Sequence, residues 1–149
     1  MPIDPVGLQS YLREHIPIAG ALGVRVLESA SRRVVLEAPL GPNINHMRSA
    51  FGGSVASLAT LAGWCLVHVH LKEMGLQADI VIQHSAMEFT APAQADFRAT
   101  CALADGRAWA RLARAVTRYG RGRVYLDVSL EAEGRKVGSF QGAYVALRP

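Results

Sequence analysis

The period of the hydrophobic positions changes along the chain, and each change predicts a secondary-structure element. Residues 4–15 carry apolar residues at helical spacing, with Asp4 placed to cap the helix and Pro5 in its first position. The apolar stripe consists of Val6, Leu8, Leu12 and Ile16. We expect Pro17 to end this helix, because the residue before a proline disfavours the helical conformation.

Six stretches have the composition and spacing of β-strands. They cover residues 22–29, 32–38, 78–93, 95–104, 123–134 and 136–147, with a tight turn at Ala30-Ser31 and a bend near Pro92. The last two form the clearest hairpin, turning at Glu133-Gly134-Arg135. In the first of these two, Val124, Leu126, Val128 and Leu130 alternate with polar or aromatic residues. Residues 105–120 interrupt the strands with helical spacing.

Between the second and third strands lies a segment that is apolar on all sides, predicted as a helix from about 53 to 74 with Gly75 at its C-terminal cap. Residues 54–71 hold no formal charge and approach the length of a membrane-spanning helix. Hydroxyl residues and two histidines interrupt the apolar run, and the strands around it need a core to cover. We therefore predict a buried helix and no membrane association.

An antiparallel sheet with one central apolar helix predicts that the sheet wraps around the helix. Small residues on the helix allow this close approach, namely Ala56, Ala59, Ala62 and Gly63. This is the hotdog arrangement, an α+β fold, and we expect residues 1–149 to form a single domain of this kind. Exposed sheet edges are usually paired, so we also expect a homodimer.

Composition and charge narrow the class of protein. The chain has 149 residues, 50% of them hydrophobic, and a formal net charge of +4, which fits one domain with a sizeable core. Cys65 and Cys101 lie in apolar surroundings, which predicts reduced core thiols in a cytoplasmic protein. The N-terminus lacks the basic and apolar regions of a signal peptide.

The loop and turn before the central helix, "NINHMRSAFGGS", carry the candidate chemistry. A helix start presents unpaired N–H groups and a partial positive charge, and glycine lets a substrate approach the backbone. We therefore expect an oxyanion site at the amides around Gly53 and Ser54, with a second hydrogen bond from the side chain of Asn45. Ordinary turn chemistry is the alternative for Asn43 and Asn45, tight packing for the glycines, and an exposed loop position for His46.

Several motifs resemble the YiiD C-terminal-type family of hotdog thioesterases. They are "PNIN", "FGGS", "TLAGW", "ADIV" and the closing "GRKVGSFQGAYVAL", so the resemblance covers nearly the whole chain. Some members are named thioesterases, and some decarboxylate malonyl-acyl carrier protein (ACP) to supply acetyl-ACP for fatty acid biosynthesis. The resemblance implies an acyl-CoA or acyl-ACP substrate, with coenzyme A or phosphopantetheine as part of that substrate and no separate cofactor. It makes Asn43, His46, Phe51, Gly52 and Ser54 candidate substrate-binding residues.

The helix departs from a pattern that many hotdog thioesterases share, in which "HGG" is followed after seven residues by a carboxylate. Here Phe51 stands at the histidine position and Thr60 at the carboxylate position. Hydrolysis needs a general base or a nucleophile, whereas decarboxylation of a malonyl thioester needs only stabilisation of the enolate oxygen. We assign Asn45, Gly53 and Thr60 as catalytic candidates, with Thr60 orienting the substrate. The alternative for Thr60 is a hydroxyl bonded to a carbonyl one turn earlier.

A row of arginines follows the predicted helix over residues 105–120. Arg107, Arg111, Arg114 and Arg118 fall on one face, opposite Trp109, Leu112, Ala113 and Val116. A plain solvated face is one interpretation. An acidic carrier protein or the phosphates of coenzyme A fits better, so Arg111, Arg114 and Arg118 are candidate binding residues. Nucleic acid is disfavoured because no aromatic residues are interleaved.

Three functions remain. The best-supported one is decarboxylation of malonyl-ACP or malonyl-CoA, followed by acyl-CoA or acyl-ACP hydrolysis, and then by a non-enzymatic acyl-thioester binding protein. A metal site is not expected. His68 and His70 are two residues apart on the predicted helix, so their side chains point in different directions.

Overall fold

The computed structural model describes residues 3–103 and 105–149, and its central feature is one long helix in the curve of an antiparallel sheet. The helices are α1 (Pro5–His15), α2 (Pro17–Leu22), α3 (Gly52–Glu73) and α4 (Gly106–Tyr119), with a 3-10 turn at Gly41–Asn43. The strands are β1 (Arg25–Ala30), β2 (Arg33–Ala38), β3 (Asp79–Phe89), β4 (Phe97–Ala102), β5 (Arg121–Ala132) and β6 (Arg135–Leu147). They form a six-stranded sheet in the order β1-β2-β4-β5-β6-β3.

The first helix confirms the predicted cap but not the whole predicted stripe. The Asp4 carboxylate accepts a hydrogen bond of 2.7 Å from the N–H of Gly7, and Leu8 and Leu12 are fully buried. Val6 is 76% exposed, so its assignment to the apolar stripe was wrong. Pro17 ends α1 as expected but also begins α2, because a proline's fixed φ and missing N–H suit the first position of a helix.

The strands agree with the prediction in number and order, with shifted ends. The turn after β1 lies at Ser31-Arg32, one residue later than expected, and β3 ends at Phe89 rather than continuing past Pro92. The β5–β6 hairpin is confirmed, and its turn places Glu133 at φ 54° and Gly134 at φ 73°. The inward residues of β5 are buried as predicted, at Val124, Leu126, Val128 and Leu130.

Helix α3 is the core of the molecule. In the 18-residue window that is apolar enough to cross a membrane, 67% of the residues are buried inside the protein. A Cβ atom on Gly63 would lie 2.2 Å from the Tyr144 hydroxyl, and that hydroxyl donates a 2.7 Å hydrogen bond to the Thr60 carbonyl. Gly63 therefore lets β6 approach the helix closely. Gly75, at φ 72°, ends α3 in the left-handed conformation as predicted.

The two cysteines are unpaired core thiols, as expected. Cys65 and Cys101 are both free and buried. Burial raises the pKa of the Cys101 thiol to about 12 and raises the pKa of Cys65 as well. Both thiols are therefore protonated at neutral pH and unsuited to nucleophilic chemistry.

Two surfaces of the fold lack a covering layer. The first is the edge strand β3, where every residue except Ile80 and Met87 is exposed, including Val81, Ile82 and Phe89. The second is a stripe along α3 in which Gly53 is exposed and the next positions are only half-buried, namely Ala56, Ser57, Thr60 and Trp64. Both surfaces lie on the same side of the molecule, since Trp64 donates a 3.0 Å hydrogen bond to the carbonyl of Ile80 in β3.

Candidate active site

A cavity of about 400 Å³ lies at the start of α3. Its wall combines the asparagine loop, the first turns of α3, the segment after β3 and one residue of β6. The lining residues are Asn45, Ser49, Ala50, Gly52, Val55, Phe89, Thr90, Ala91, Pro92, Ala93 and Val137. The structure therefore brings two of the predicted residues, Asn45 and Gly52, into one cavity.

The first turn of α3 presents two unpaired backbone donors. The N–H groups of Ser54 and Val55 both donate to the Phe51 carbonyl, at 2.9 and 3.1 Å. Those of Gly52 and Gly53 have no acceptor among residues 3–103 and 105–149, and no side chain caps the helix. The donors at this helix start are thus one residue earlier than predicted. The amide of Ser54 is engaged within the turn, and its half-buried side chain is at the edge of the site.

Asn45 organises the loop and still faces the cavity. Its Oδ1 accepts hydrogen bonds from the N–H groups of Met47 (2.8 Å) and Ser49 (3.1 Å). Its Nδ2 lies 3.0 Å from the Ser49 hydroxyl, which accounts for one of the two amide hydrogens. The second amide hydrogen is available to a ligand, so the side chain is held in place by its acceptor oxygen while its donor stays usable.

Asn43 has a different position, although it is only two residues earlier. It is 3% exposed and does not line the cavity. Its Nδ2 donates to the carbonyls of Leu22 (2.9 Å) and Pro39 (2.8 Å), which uses both amide hydrogens. These bonds fix the loop against α2, and they match the turn-chemistry alternative for Asn43 rather than a contact with substrate.

Two further predicted residues lie beside the cavity without lining it. Phe51 is 57% exposed, and its ring lies over Gly53, where an added Cβ would meet the ring carbon Cε2 at 2.5 Å. The exposed ring therefore occupies the space in which a side chain on Gly53 would lie. His46 is exposed in the loop and has no contact with the cavity wall.

Thr60 is separated from this cavity within the chain. It lies seven residues after Gly53, about 10 Å along the helix axis at 1.5 Å per residue. Its hydroxyl donates a 2.9 Å hydrogen bond to the Ala56 carbonyl, which is the local bond considered from the sequence. The hydroxyl oxygen remains half-exposed on the uncovered stripe of α3, where it can still accept a hydrogen bond from a ligand.

The predicted arginines lie at the other end of α3. Arg111, Arg114 and Arg118 are exposed on α4, as the periodicity predicted, and Trp109, Leu112, Ala113 and Val116 are buried on the opposite face. The Trp109 ring stacks on His70, near the end of α3, with centroids 4.0 Å apart. The three arginines line a groove of about 750 Å³ that is separate from the cavity at the start of α3.

The histidines of α3 are packing residues. His68 is 5% exposed and packs in a three-ring cluster with Tyr11 and Trp64, at centroid distances of 4.7 and 4.8 Å. Burial, with smaller contributions from the charges of Lys72 and His15, lowers the pKa of His68 to about 4. Within the described part of the chain, no group of three or more His, Cys, Asp or Glu residues is placed to hold a metal ion.

Sequence reasoning missed the far wall of the cavity. Phe89 ends the edge strand β3, Pro92 and Ala93 follow it, and Val137 comes from β6. Their proximity to Gly52 depends on the pairing of β3 with β6, in which Phe89 lies opposite Gly138, and no local pattern encodes it. Ser49 was also missed, although its position four residues after an asparagine in a turn-forming loop was a usable signal.

Comparisons with known proteins bear on the family and the fold. Residues 6–148 match the profile of the family described as putative thioesterase (YiiD C-terminal). A Chlorobaculum tepidum protein of unknown function is 27% identical, with 99% of each chain covered and a TM-score of 0.90. A Pseudomonas aeruginosa protein described as a probable thioesterase is 25% identical over 99% of this chain and 97% of its own, with a TM-score of 0.82.

A third solved structure supports the fold alone. It is a thioesterase from Shewanella oneidensis, described as putative, that is 24% identical over 96% of each chain, with a TM-score of 0.85. The predicted hotdog fold is confirmed, with α3 as the central helix and the six strands around it. The family match spans nearly the whole chain and includes both the asparagine loop and the glycine turn. The chain belongs to the YiiD C-terminal family of hotdog thioesterases.

Proposed function

We propose that the protein is an enzyme that binds the carbonyl oxygen of an acyl thioester in the cavity at the start of α3. The observation that carries this proposal is that Gly52, with its unpaired N–H group, lines the same cavity as Asn45, with its available amide hydrogen. The unpaired N–H group of Gly53 follows one residue along α3. Donors fixed by the fold need no reorganisation when negative charge develops on the oxygen. The partial positive charge at the start of the helix stabilises the same negative charge. Coenzyme A or phosphopantetheine enters as part of the substrate, and no other cofactor is required.

The proposed assembly is a homodimer joined through β3. An exposed edge strand of 11 residues with apolar side chains would otherwise be open to unspecific pairing. A partner strand would also cover the uncovered stripe of α3, which lies beside β3. Thr60, in the middle of this stripe, would then face the other subunit rather than its own cavity.

For the reaction, we favour decarboxylation of a malonyl thioester. None of the residues lining the cavity is Asp, Glu or His, so the described residues place no general base beside the bound carbonyl. In decarboxylation the C–C bond to the carboxylate breaks, CO₂ leaves, and the electron pair forms an enolate whose oxygen is held by Gly52, Gly53 and Asn45. A proton from water then gives the acetyl thioester.

Thioester hydrolysis is the second candidate, and the description of the family favours it. Here a water attacks the polarised carbonyl, and the free thiol leaves. The base would have to come from outside the cavity of one chain, and the hydroxyl of Thr60 on the partner is a weak candidate for orienting that water. A protein that only binds acyl thioesters is the third candidate.

One experiment separates the three candidates. The protein is incubated with malonyl-ACP, acetyl-ACP and the corresponding CoA thioesters, and CO₂, acetyl thioester and free thiol are measured. We expect CO₂ and the acetyl thioester from the malonyl substrates in equal amounts, without free thiol. Free thiol without CO₂ would establish hydrolysis instead, and binding without any product would establish the non-enzymatic function.

A further inference from the structure

The exposed face of α4 concentrates positive charge that the protein itself does not neutralise. Arg107, Arg111, Arg114 and Arg118 are exposed along this face. None of the four forms an ion pair with any residue in 3–103 or 105–149. Other arginines behave differently, since Arg25 and Arg98 both bind Glu37, at 2.6 and 2.7 Å. What distinguishes α4 is that four such arginines lie along one exposed helix face.

An apolar groove runs beside these arginines. It has a volume of about 750 Å³ and lies between α4 and the segment that follows α3. Its wall includes Met74, Leu76, Ala113, Ala115 and Tyr119, and its rim carries three of the arginines. An apolar groove with a positively charged rim is complementary to an amphipathic helix whose polar face is acidic.

The positive surface continues from α4 towards the edge of the sheet. Arg123, on β5, donates a 3.0 Å hydrogen bond to the side-chain carbonyl of Gln83, which lies in the edge strand β3. The Arg123 guanidinium also lies 5.5 Å from the centre of the Tyr125 ring. The surface therefore leads to the edge at which a second chain would be added.

Within one chain, α4 is far from the cavity. Trp109 of α4 stacks on His70, which is 17 residues after Gly53, so the two ends are about 25 Å apart along α3. If two β3 strands pair antiparallel, the last residues of one strand lie beside the first residues of the other. The α4 helix of one chain is then close to the cavity of the partner, although it is far from its own. The partner's Phe89, and with it the partner's cavity, would come to the end of the molecule where α4 lies.

We infer that the arginine face of α4 docks an acidic acyl carrier domain, and that the docked carrier delivers its thioester to the cavity of the partner subunit. The inference rests on the proposed function, since it assigns the carrier for that same cavity. It commits to a protein carrier rather than to coenzyme A, because four arginines beside an apolar groove offer a surface much larger than one nucleotide needs.

Mixed dimers test this assignment directly. One chain carries the docking change Arg111→Glu with Arg114→Glu, and the other carries the site change Asn45→Asp. The two chains bear different affinity tags, and the mixed dimer is isolated by successive purification on both tags. We expect turnover of malonyl-ACP at about half the rate of the unchanged dimer, since the intact cavity of one chain is served by the intact arginines of the other.

The reverse combination gives the opposite expectation. A dimer of one unchanged chain with one chain carrying all three substitutions should lose most carrier-dependent turnover, because the intact cavity faces reversed charges. If the carrier instead docks on the same chain whose cavity it serves, the results are reversed. The dimer with the two changes on separate chains is then inactive, and the dimer with all three substitutions on one chain keeps about half the activity. That reversed pair of results would overturn the inference, as would a protein that is monomeric in solution.

Two controls separate this inference from the proposed function. Turnover of a malonyl thioester of N-acetylcysteamine by the unchanged protein tests the cavity without any carrier, and its absence would remove the proposed function itself. The variant with Arg13→Glu and Arg32→Glu changes the net charge equally at two exposed positions outside α4, and we expect no change in KM for malonyl-ACP. An equal rise in KM for malonyl-CoA and malonyl-ACP in the docking variant would overturn the carrier in favour of coenzyme A phosphates.

Discussion

The two ends of α3 differ in what they leave unsatisfied. At the start, the N–H groups of Gly52 and Gly53 have no acceptor in the described part of the chain, and Gly52 lines a cavity. At the far end, the His70 and Trp109 rings stack, Gly75 completes the cap, and the exposed charges belong to α4. The start of the helix therefore offers hydrogen-bond donors to a small polar group. Its far end is closed by packing and supports the exposed face of α4.

Under the proposed function, this one buried helix serves both chemistry and recognition. The start of α3 is incomplete as a helix end, and incomplete helix starts are anion-binding sites. The far end is complete, so it contributes packing rather than chemistry. Substitutions at the start should therefore affect turnover more than stability, and substitutions further along the helix should do the opposite.

The largest expected effect is on turnover, at Asn45. Asn45→Asp keeps the oxygen that accepts the N–H groups of Met47 and Ser49 but removes the amide donor. We expect kcat to fall by about 10²- to 10³-fold, the usual loss for one oxyanion donor, while the melting temperature changes little. Steady-state kinetics and thermal unfolding of the same preparation measure the two quantities.

Asn43→Asp is the matched control for this substitution. It removes both donors to the carbonyls of Leu22 and Pro39 at a buried position, so it should lower the free energy of unfolding by roughly 2 kcal/mol or more. A stable but inactive Asn43→Asp protein would contradict the division of roles between the two asparagines.

The next effect is on stability, in the middle of α3. Gly63→Ala places a methyl group 2.2 Å from the Tyr144 hydroxyl, so the ring must move and its hydrogen bond to the Thr60 carbonyl weakens. We expect the free energy of unfolding to fall by about 1–3 kcal/mol, the cost of overpacking a close-packed core. Unfolding in urea measures it, and an unchanged midpoint would show that β6 can retreat from the helix.

A smaller effect depends on pH and tests the far half of α3. The pKa of His68 is about 4 in the folded protein and about 6.5 in an unfolded chain. The unfolded state therefore binds the proton more tightly, and folding stability should fall as the pH drops from 6.5 towards 4. We expect His68→Phe, which keeps an aromatic ring packed on Tyr11 and Trp64, to lose about 1–2 kcal/mol less stability than the unchanged protein between pH 7 and pH 5. Equal losses in both proteins would contradict the assignment.

The smallest stability effect is expected at Gly53. Gly53→Ala makes the same chemical change as Gly63→Ala, but its methyl group meets only the exposed Phe51 ring, which can rotate away. The helical preference of alanine should raise the free energy of unfolding by up to about 1 kcal/mol. Turnover should nevertheless fall, because the displaced ring and the methyl group crowd the unpaired amide. A gain in both stability and turnover would separate Gly53 from the site.

The sequence predicted the secondary-structure elements and the two ends of α3 better than it predicted the residues that line the cavity. Alternation and helical spacing located all six strands and three of the four helices, because these patterns follow from burial on one face. Helix α2 was missed because Pro17 was interpreted only as a stop signal, although proline also suits a helix start. The burial of Asn43 could not be predicted, since Asn43 and Asn45 both favour turns and only the position of α2 decides which one is buried.

The wall formed by Phe89, Pro92, Ala93 and Val137 was outside the reach of any local pattern. It depends on β3 returning along α3 and pairing with β6, a contact between residues about 50 positions apart. The placement of Thr60 was limited in another way. Its spacing from Gly53 was evident in the sequence, but which cavity its side chain faces depends on assembly.

The hydrogen bond from Tyr144 to the Thr60 carbonyl has a mechanical consequence. It ties the middle of α3 to β6, and the missing side chain at Gly63 lets the Tyr144 ring lie directly against the helix. Val137, at the other end of β6, forms part of the cavity wall. The contact between Tyr144 and α3 therefore also fixes the position of that wall relative to the helix. We therefore expect the core to set the depth of the cavity, and Phe89 and the loop around Asn45 to adapt to the size of what binds there.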